Sequence, residues 1–174
     1  MKIGFDAKRF FLNQTGLGNY SRDLVKGVLE LEEENEYFLF TPDGEIDLKT
    51  RFLKEHSNTK IIKPKGLYKK FKSYWRSVRL EKELLKNEVE LFHGLSHEIP
   101  KKNKLSKIKY VTTIHDLIFL RYPENYGRID RGIYKKKVEY ACANSDVVIA
   151  ISEQTKRDLI EFLKVPEDKI KVVY

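Results

Sequence analysis

Tyr110-Val111-Thr112-Thr113-Ile114-His115-Asp116 is the most informative segment of this 174-residue sequence. Its first five residues are rich in β-branched side chains and predict a short strand that is buried on both faces. The apolar run stops at His115 and Asp116. In an open α/β sheet, ligands bind outside the carboxyl ends of the strands. An imidazole beside a carboxylate at such an end is therefore placed for chemistry rather than for packing.

Strand-like and helix-like patterns alternate on both sides of this segment. The predicted strands cover residues 2–7, 36–41, 60–63, 89–94, 107–114, 145–151 and 170–174. The predicted helices cover residues 17–31, 68–86, 123–143 and 155–163, whereas residues 8–15 have the composition of a loop. Such alternation predicts an α/β fold, Rossmann-like and three-layered, with a mostly parallel sheet of about six to seven strands.

The apolar spacing also predicts which helix faces are buried. In the second predicted helix, the inner face is expected to hold Phe71, Trp75, Val78 and Leu85. In the third, it is expected to hold Ile129, Ile133, Tyr134, Val138 and Ala141. Ser152 precedes the fourth helix and has the side chain of a typical N-cap.

The composition excludes several classes of protein. No apolar run approaches the roughly 20 residues that a membrane-spanning helix needs, and the first residues reach a charge too early for a signal peptide. Cys142 is the only cysteine, so no internal disulfide is possible. These features favour a cytoplasmic protein. The motifs of serine hydrolases, P-loop NTPases and structural zinc sites do not occur.

The net charge of +8 is concentrated in two places. Residues 63–82 contain eight Lys and Arg against the single acid Glu81, and residues 101–109 contain five Lys and no acid. Tyr68, Phe71, Tyr74 and Trp75 are interleaved with the first group. Such a region suits anionic partners, either a membrane surface or nucleic acid. A solvated surface with Phe71 and Trp75 in the core explains it equally well.

Gly16-Leu17-Gly18-Asn19-Tyr20 lies between the first strand and its helix. Glycines allow a backbone to approach an anion closely, and a helix N-terminus offers N–H groups and the positive end of its dipole. The segment is no dinucleotide fingerprint, because Ser21 occupies the third glycine position. An anion site and an ordinary flexible loop both remain open.

His115 has three interpretations: a structural hydrogen bonder, a metal ligand, or a polar group that contacts a substrate hydroxyl. No second His or Cys lies nearby at ligand spacing, which disfavours a metal. His93 ends the neighbouring predicted strand and supports the third interpretation, since it adds an imidazole to the same edge. His97 follows and is expected to be an exposed residue.

Four segments occur in an order that resembles a known family. They are Gly16–Tyr20, Val111–Leu117, Ala143–Leu159 and Val165–Tyr174. Together they resemble the N-terminal half of the retaining, mannosyltransferase-like family-four glycosyltransferases of the GT-B fold. The last two segments are long and specific, and the resemblance covers essentially the whole chain.

The resemblance implies two Rossmann-like domains that face each other across a cleft. Residues 1–174 would form the single N-terminal, acceptor-side domain, with the nucleotide-sugar domain lying beyond Tyr174 and absent from this chain. The donor would be a GDP- or UDP-sugar, the acceptor a glycan or a lipid-linked glycan, and no metal ion would be needed. The complete protein would be a hexosyltransferase, cytoplasmic or peripheral on the inner membrane face, and the chain alone would be inactive.

The resemblance also implies roles for individual residues. His115 would contact the transferred sugar and Asp116 would lie near the acceptor, so these two are the expected catalytic residues. The expected substrate-binding residues are Gly16, Leu17, Gly18, Asn19, Tyr20, His93, Arg128, Arg131 and Ser152. The glycine segment would lie near the donor diphosphate, the two arginines near an anionic acceptor, and Ser152 at a helix cap beside the cleft.

A second hypothesis comes from charge alone. The basic region would attach a non-catalytic binding module to an anionic membrane surface or, with less support, to nucleic acid.

Overall fold

Seven β-strands and seven α-helices alternate along residues 1–103 and 105–174, the part of the chain that this computed structural model describes. The strands are β1 (Lys2–Asp6), β2 (Glu36–Phe40), β3 (Thr59–Ile62), β4 (Leu91–Gly94), β5 (Lys109–Ile114), β6 (Val147–Ala150) and β7 (Ile170–Val172). They form one sheet in the order β3-β2-β1-β4-β5-β6-β7. β1 is parallel to β2 and β4, β2 to β3, and β6 to β5 and β7. The predicted α/β fold with a parallel sheet of six to seven strands is confirmed.

Helices form where the sequence pattern predicts them, with four differences. Residues 68–86 do not form one helix, residues 8–12 and 118–121 form short helices that were not predicted, and the helix predicted from residue 123 begins at residue 128. The helices are α1 (Lys8–Leu12), α2 (Gly16–Leu31), α3 (Lys72–Tyr74), α4 (Leu80–Lys86), α5 (Ile118–Arg121), α6 (Arg128–Asn144) and α7 (Glu153–Leu163). A π-helical turn covers Trp75–Arg79, and short 3₁₀ turns cover Arg51–Glu55, Gly66–Lys69, Pro123–Asn125 and Glu167–Lys169.

The chain forms two compact units. The first unit comprises Met1–His93 and Pro100–Ile108, and the second comprises Gly94–Ile99 and Lys109–Tyr174. The core of the first unit is aromatic, with its largest buried side chains being Phe5, Phe10, Tyr37, Phe38, Phe40, Trp75 and Phe92. The core of the second is mostly aliphatic and is built from Ile114, Leu117, Val138, Val148 and Leu159. Each unit therefore buries an apolar interior of its own.

The prediction of one continuous helix over residues 68–86 was wrong, and so was its inner face. Phe71 is 62% exposed, and Val78 and Leu85 are exposed as well, whereas Trp75 is buried as expected. The π-turn explains the change, because its i to i+5 geometry takes the buried face from Trp75 to Leu80 rather than to Val78. From Leu80 the ordinary α-helical spacing then leads to the buried Leu84.

Two further expectations were wrong. Residues 8–15 contain the short helix α1 instead of a continuous loop, because Phe10 and Phe11 turn into the core of the first unit. In α6, the first half of the predicted inner face is exposed, including Ile129, Ile133 and Tyr134. Its second half, from Val138 onward, packs into the core of the second unit, and in the first half the Tyr134 ring keeps an edge contact to Phe119 with centroids 6.0 Å apart.

Candidate functional site

His115 is fixed at the carboxyl end of β5 by contacts to both its ring and its backbone. Its side chain is 8% exposed, and Nε2 lies 2.9 Å from the carbonyl oxygen of Leu95. A neutral imidazole in this contact carries its proton on Nε2, which makes Nδ1 the acceptor atom of the ring. The hydroxyl of Thr155, on α7, donates to the backbone carbonyl of His115 at 2.9 Å. The ring is therefore held in one orientation and one tautomer.

Asp116 follows His115 and is half-buried. Its Oδ1 accepts a hydrogen bond from the backbone N–H of Ile118 at 3.2 Å, the first residue of α5. This is the local bond by which Asp side chains organise a turn. The carboxylate therefore has a structural task at the start of α5, and its second oxygen remains an acceptor for a ligand hydroxyl.

The segment Gly94–Ile99 supplies the groups that surround the His115 ring. The ring of His97 packs against that of His115 with centroids 5.3 Å apart, and the His97 backbone N–H donates to the Thr113 carbonyl at 2.9 Å. The sequence suggested only an exposed residue at position 97, whereas the structure half-buries it. No sequence motif marks this contact, because it depends on the path of the segment.

The glycine segment in the first unit begins α2, and Asn13 organises it. Asn13 Oδ1 accepts from the N–H groups of Thr15 and Gly18 at 3.0 and 2.9 Å, and from the Thr15 hydroxyl at 2.9 Å. A Cβ on Gly18 would lie 1.9 Å from the Asn13 carbonyl oxygen, while a Cβ on Gly16 would meet nothing within 4 Å. A glycine is therefore required at position 18 because the Asn13 backbone leaves no room for a side chain, and the Gly18 N–H is hydrogen-bonded within the loop.

Arg22, which the sequence interpretation missed, locks this loop from the next turn of α2. The guanidinium is buried and donates to the carbonyl oxygens of Phe10 and Asn13 at 2.8 and 2.9 Å. It also donates to Asn19 Oδ1 at 2.7 Å. A surface cavity of about 380 Å³ adjoins these residues, and four of its eight lining residues are cations: Arg22, Lys26, Lys49 and Arg51.

Asp6 ends β1 and forms a buried ion pair with Arg76 on the π-turn. Arg76 Nε lies 2.9 and 3.1 Å from the two carboxylate oxygens, and its terminal nitrogen also contacts Asp6. Both side chains are largely removed from solvent. The pair fixes the π-turn to the carboxyl end of β1, and no sequence pattern predicts it, because the two residues are 70 positions apart.

The other predicted site residues have more ordinary surroundings. His93 is buried beside Phe5, with ring centroids 6.0 Å apart. Ser152 caps α7 as predicted, because its hydroxyl accepts from the Thr155 N–H at 3.1 Å. Arg128 is exposed on the first turn of α6, and Arg131 makes one long contact of 3.4 Å to the Pro123 carbonyl. Gly16 and Asn19 are exposed, whereas Leu17 and Tyr20 are half-buried.

The predicted residues divide between the two units. Gly16–Tyr20 and His93 belong to the first unit, and His115, Asp116, Arg128, Arg131 and Ser152 belong to the second. Within residues 1–103 and 105–174, no three His, Cys, Asp or Glu side chains are grouped so that they could hold a metal ion. No helix in the described part of the chain is both long enough and apolar enough to cross a membrane.

Several solved structures resemble this chain. One is the apo form of lipopolysaccharide outer core galactosyltransferase WaaB, with 15% identity and a TM-score of 0.55 over 100% of this chain and 45% of that one. Another is a glycosyltransferase from Rickettsia africae ESF-5, with 14% identity and a TM-score of 0.54 over 99% and 42%. A third is a variant of the wall teichoic acid polymerase TagF, with 12% identity and a TM-score of 0.54 over 98% and 37%.

This chain spans less than half the length of each of these three structures. At such low identity the likeness shows the fold alone, which is the Rossmann-like half of a GT-B structure. No curated protein sequence matches the chain significantly. Residues 15–174, which include the glycine segment, His115 and the Ser152 cap, match the family described as Glycosyltransferase Family 4. Because the match leaves out only the first strand and α1, the chain is a member of Glycosyltransferase Family 4.

Proposed function

We propose that this chain is the acceptor-side half of a retaining hexosyltransferase that builds a surface polysaccharide or a lipid-linked glycan. The family match over residues 15–174 supports the reaction class. The observation that carries the proposal is the state of His115, a buried imidazole at the carboxyl end of a parallel strand with its tautomer fixed by Leu95. Ligands of open α/β sheets bind at such ends.

The proposed donor is a GDP- or UDP-hexose, with mannose as the first sugar to test, used without a metal ion. His115 contacts a hydroxyl of the transferred sugar, since its ring is held at the carboxyl end of β5, where ligands of open α/β sheets bind. Asp116 lies near the acceptor hydroxyl. The anomeric C–O bond to the diphosphate breaks, the acceptor hydroxyl oxygen bonds to the anomeric carbon and gives its proton to the departing diphosphate, and the configuration at the anomeric carbon is retained.

The remaining predicted residues have supporting roles in this proposal. The N-terminus of α2, at Gly16 and Leu17, lies near the donor diphosphate, where helix N–H groups favour negative charge. Arg128 and Arg131 meet an anionic group of the acceptor. His93 and the cap at Ser152 shape the surroundings of the substrate. A second nucleotide-sugar-binding domain, contributed by chain beyond residue 174, completes the enzyme.

Sugar transfer by the complete protein tests this proposal. The protein is assayed with GDP-mannose, UDP-galactose and UDP-glucose and with lipid-linked glycan acceptors. We expect transfer from one of these donors, and we expect His115→Ala to lower kcat about a hundredfold, as loss of a polar contact in a transition state does. His56→Ala, a histidine at a 3₁₀ turn of the first unit, is the matched control and should keep full activity. Full activity in folded His115→Ala would remove His115 from the site.

A second candidate role, contact with an anionic membrane, rests on the exposed apolar side chains of the segment Lys63–Lys82. Leu67 is 77% exposed, and Phe71 and Tyr74 are exposed beside it. Lys65, Lys69 and Lys70 are exposed in the same segment. Tyr74 stacks on Tyr68 with centroids 6.4 Å apart, and the Arg79 guanidinium covers the Tyr68 ring. Exposed apolar residues between lysines suit insertion among anionic headgroups.

Vesicle sedimentation tests the membrane role. We expect the protein to bind vesicles with 30% anionic lipid better than neutral vesicles, and to be released by salt. The double variant Leu67→Ser with Phe71→Ser should bind at least tenfold more weakly. Leu31→Ser, which changes an equally exposed leucine at the end of α2, is the control. Binding that is indifferent to lipid charge and salt would contradict the membrane role.

A further inference from the structure

Among residues 1–103 and 105–174, three residues other than glycine have a positive φ angle: Glu88, His97 and Lys164. Glu88 follows α4, and the next N–H, that of Val89, bonds to the Leu84 carbonyl. Lys164 ends α7 with the equivalent bond from Val165 to Leu159. A left-handed residue at a helix C-terminus is ordinary. His97 follows a strand instead, with φ at 61°, so no helix end explains its backbone conformation.

The segment Gly94–Ile99 holds His97 in this conformation at several points. A Cβ on Gly94 would lie 2.1 Å from the Glu98 carbonyl oxygen, so the segment folds back closely on itself. The Glu98 carboxylate pairs with Lys137 Nζ on α6 at 3.0 Å. The His97 N–H is bonded to β5, the strand that ends in His115. Left-handed conformations of residues with a Cβ persist only where the surroundings enforce them, and they are common at functional sites.

The same segment contacts the His115 ring twice. The Leu95 carbonyl fixes Nε2, and the His97 ring lies against the His115 ring at 5.3 Å with a 45° tilt. The first contact sets the tautomer, and the second limits rotation of the ring about its own axis. The left-handed backbone at position 97 is what directs the second ring onto the first.

We propose that His97 is a positioning residue that acts through His115 and sets the orientation of its imidazole toward the transferred sugar. This inference rests on the proposed role of His115 in sugar transfer. It also assigns a function to the segment Gly94–Ile99, which would hold the His115 side chain in place in addition to connecting β4 with β5. Small displacements of a positioned group reduce turnover strongly.

Substitution of His97 by glycine separates the effect of the imidazole ring from the effect of the backbone conformation. His97→Gly removes the imidazole and accepts the left-handed conformation without strain, so the variant should unfold at the same urea concentration as the wild type or at a higher one. In the complete protein we expect kcat to fall at least tenfold while KM for the donor changes less than twofold. His97→Asn, which tolerates the same backbone but lacks a ring, should lose activity in the same way. Lys164→Gly makes the equivalent change at the end of α7 and should keep full activity.

A double-mutant cycle shows whether His97 acts through His115. In the His115→Ala background, His97→Gly should cause no further loss of kcat. Equal losses in both backgrounds, or full activity in His97→Gly, would overturn the inference while leaving the role of His115 intact. Full activity in His115→Ala would instead overturn the proposed function, and the positioning role with it.

The nitrogen chemical shifts of the His115 ring give a readout without turnover. In wild-type protein labelled with ¹⁵N, we expect the Nε2–H tautomer to dominate. In His97→Gly, the His115 ring can rotate out of its contact with the Leu95 carbonyl, so we expect the shifts to move toward a mixture of both tautomers. An unchanged tautomer ratio in His97→Gly would show that Leu95 alone fixes the ring, and it would contradict the positioning role.

Discussion

Gly16 and Gly18 lie two residues apart at the start of α2, yet only Gly18 is required by packing. The position of a Cβ on Gly18 coincides with the Asn13 backbone, whereas a Cβ on Gly16 would point into open space. The sequence leaves both an anion site and an ordinary flexible loop open. The structure shows instead that one glycine closes an internal loop and that the other leaves room above the helix N-terminus.

Alanine substitutions separate these two glycines. Gly18→Ala should destabilise the protein by about 2–3 kcal/mol, because the Asn13 backbone must move. Gly16→Ala occupies the first position of α2 without a clash and should be neutral or stabilising by roughly 0.5 kcal/mol. Urea unfolding of both variants measures the difference. Equal stabilities would mean that the loop does not pack against Gly18 in solution.

The burial of Cys142 predicts that the protein loses stability at alkaline pH. Burial in α6 raises the pKa of its thiol from 9.0 to about 12, because the thiolate is poorly solvated there. The folded state thus favours the neutral form, so this stabilisation is complete below pH 9 and is lost as the pH rises toward 12. Relative to Cys142→Ala, the wild type should lose roughly 2.5–3 kcal/mol between pH 8 and pH 11. Stability curves for the two proteins that stay parallel over this range would contradict the burial of the thiol.

At this scale the sequence predicted that His115 ends a buried strand, but it did not predict the contact between His115 and His97. His115 is visible in the sequence because a polar pair interrupts an apolar strand. The contact of His97 with His115 depends on a left-handed backbone and on the close approach of Gly94 to Glu98. Neither feature has a periodicity that the sequence could reveal.

Among the elements, the π-turn at Trp75–Arg79 departs furthest from the sequence pattern. Helical periodicity assumes about 3.6 residues per turn, so it extends one face from Phe71 through Val78 to Leu85. The additional residue in the π-turn rotates the buried face to Leu80 and Leu84. Arg76, inside the turn, is tied to Asp6. The turn is stabilised by contacts distant in sequence, and local patterns do not contain that information.

The Asp6–Arg76 pair should contribute far more to stability than an exposed pair on the same sheet. Asp6→Asn leaves the largely buried Arg76 without its carboxylate, which should cost about 3 kcal/mol. Glu36→Gln breaks the Lys60–Glu36 pair, in which both side chains are well exposed, and should lower the stability far less than Asp6→Asn does. Urea unfolding at pH 7 measures both costs. Equal costs would mean that Asp6 is hydrated in solution.

For the whole molecule, the alternation of strand and helix was sufficient to predict the fold. The seven strands fall where the period of two or a continuous apolar run places them, within two residues at each end. Their order in the sheet, with β1 between β2 and β4, requires the crossover connections and cannot be read from any one segment. The burial of Phe71, in the basic segment Lys63–Lys82, could not be predicted from the sequence either, since the composition left open whether its side chain lies in the core or in solvent.

The central claim is that His115 contacts the sugar in the complete enzyme. A crystal structure of the complete protein with a bound nucleotide-hexose tests it most directly. We predict a hexose hydroxyl within about 3 Å of the His115 ring, the distance of a hydrogen bond, at the carboxyl end of β5. A hexose bound elsewhere, for example at the amino end of β1 among Lys2, Glu34 and Glu88, would contradict the claim.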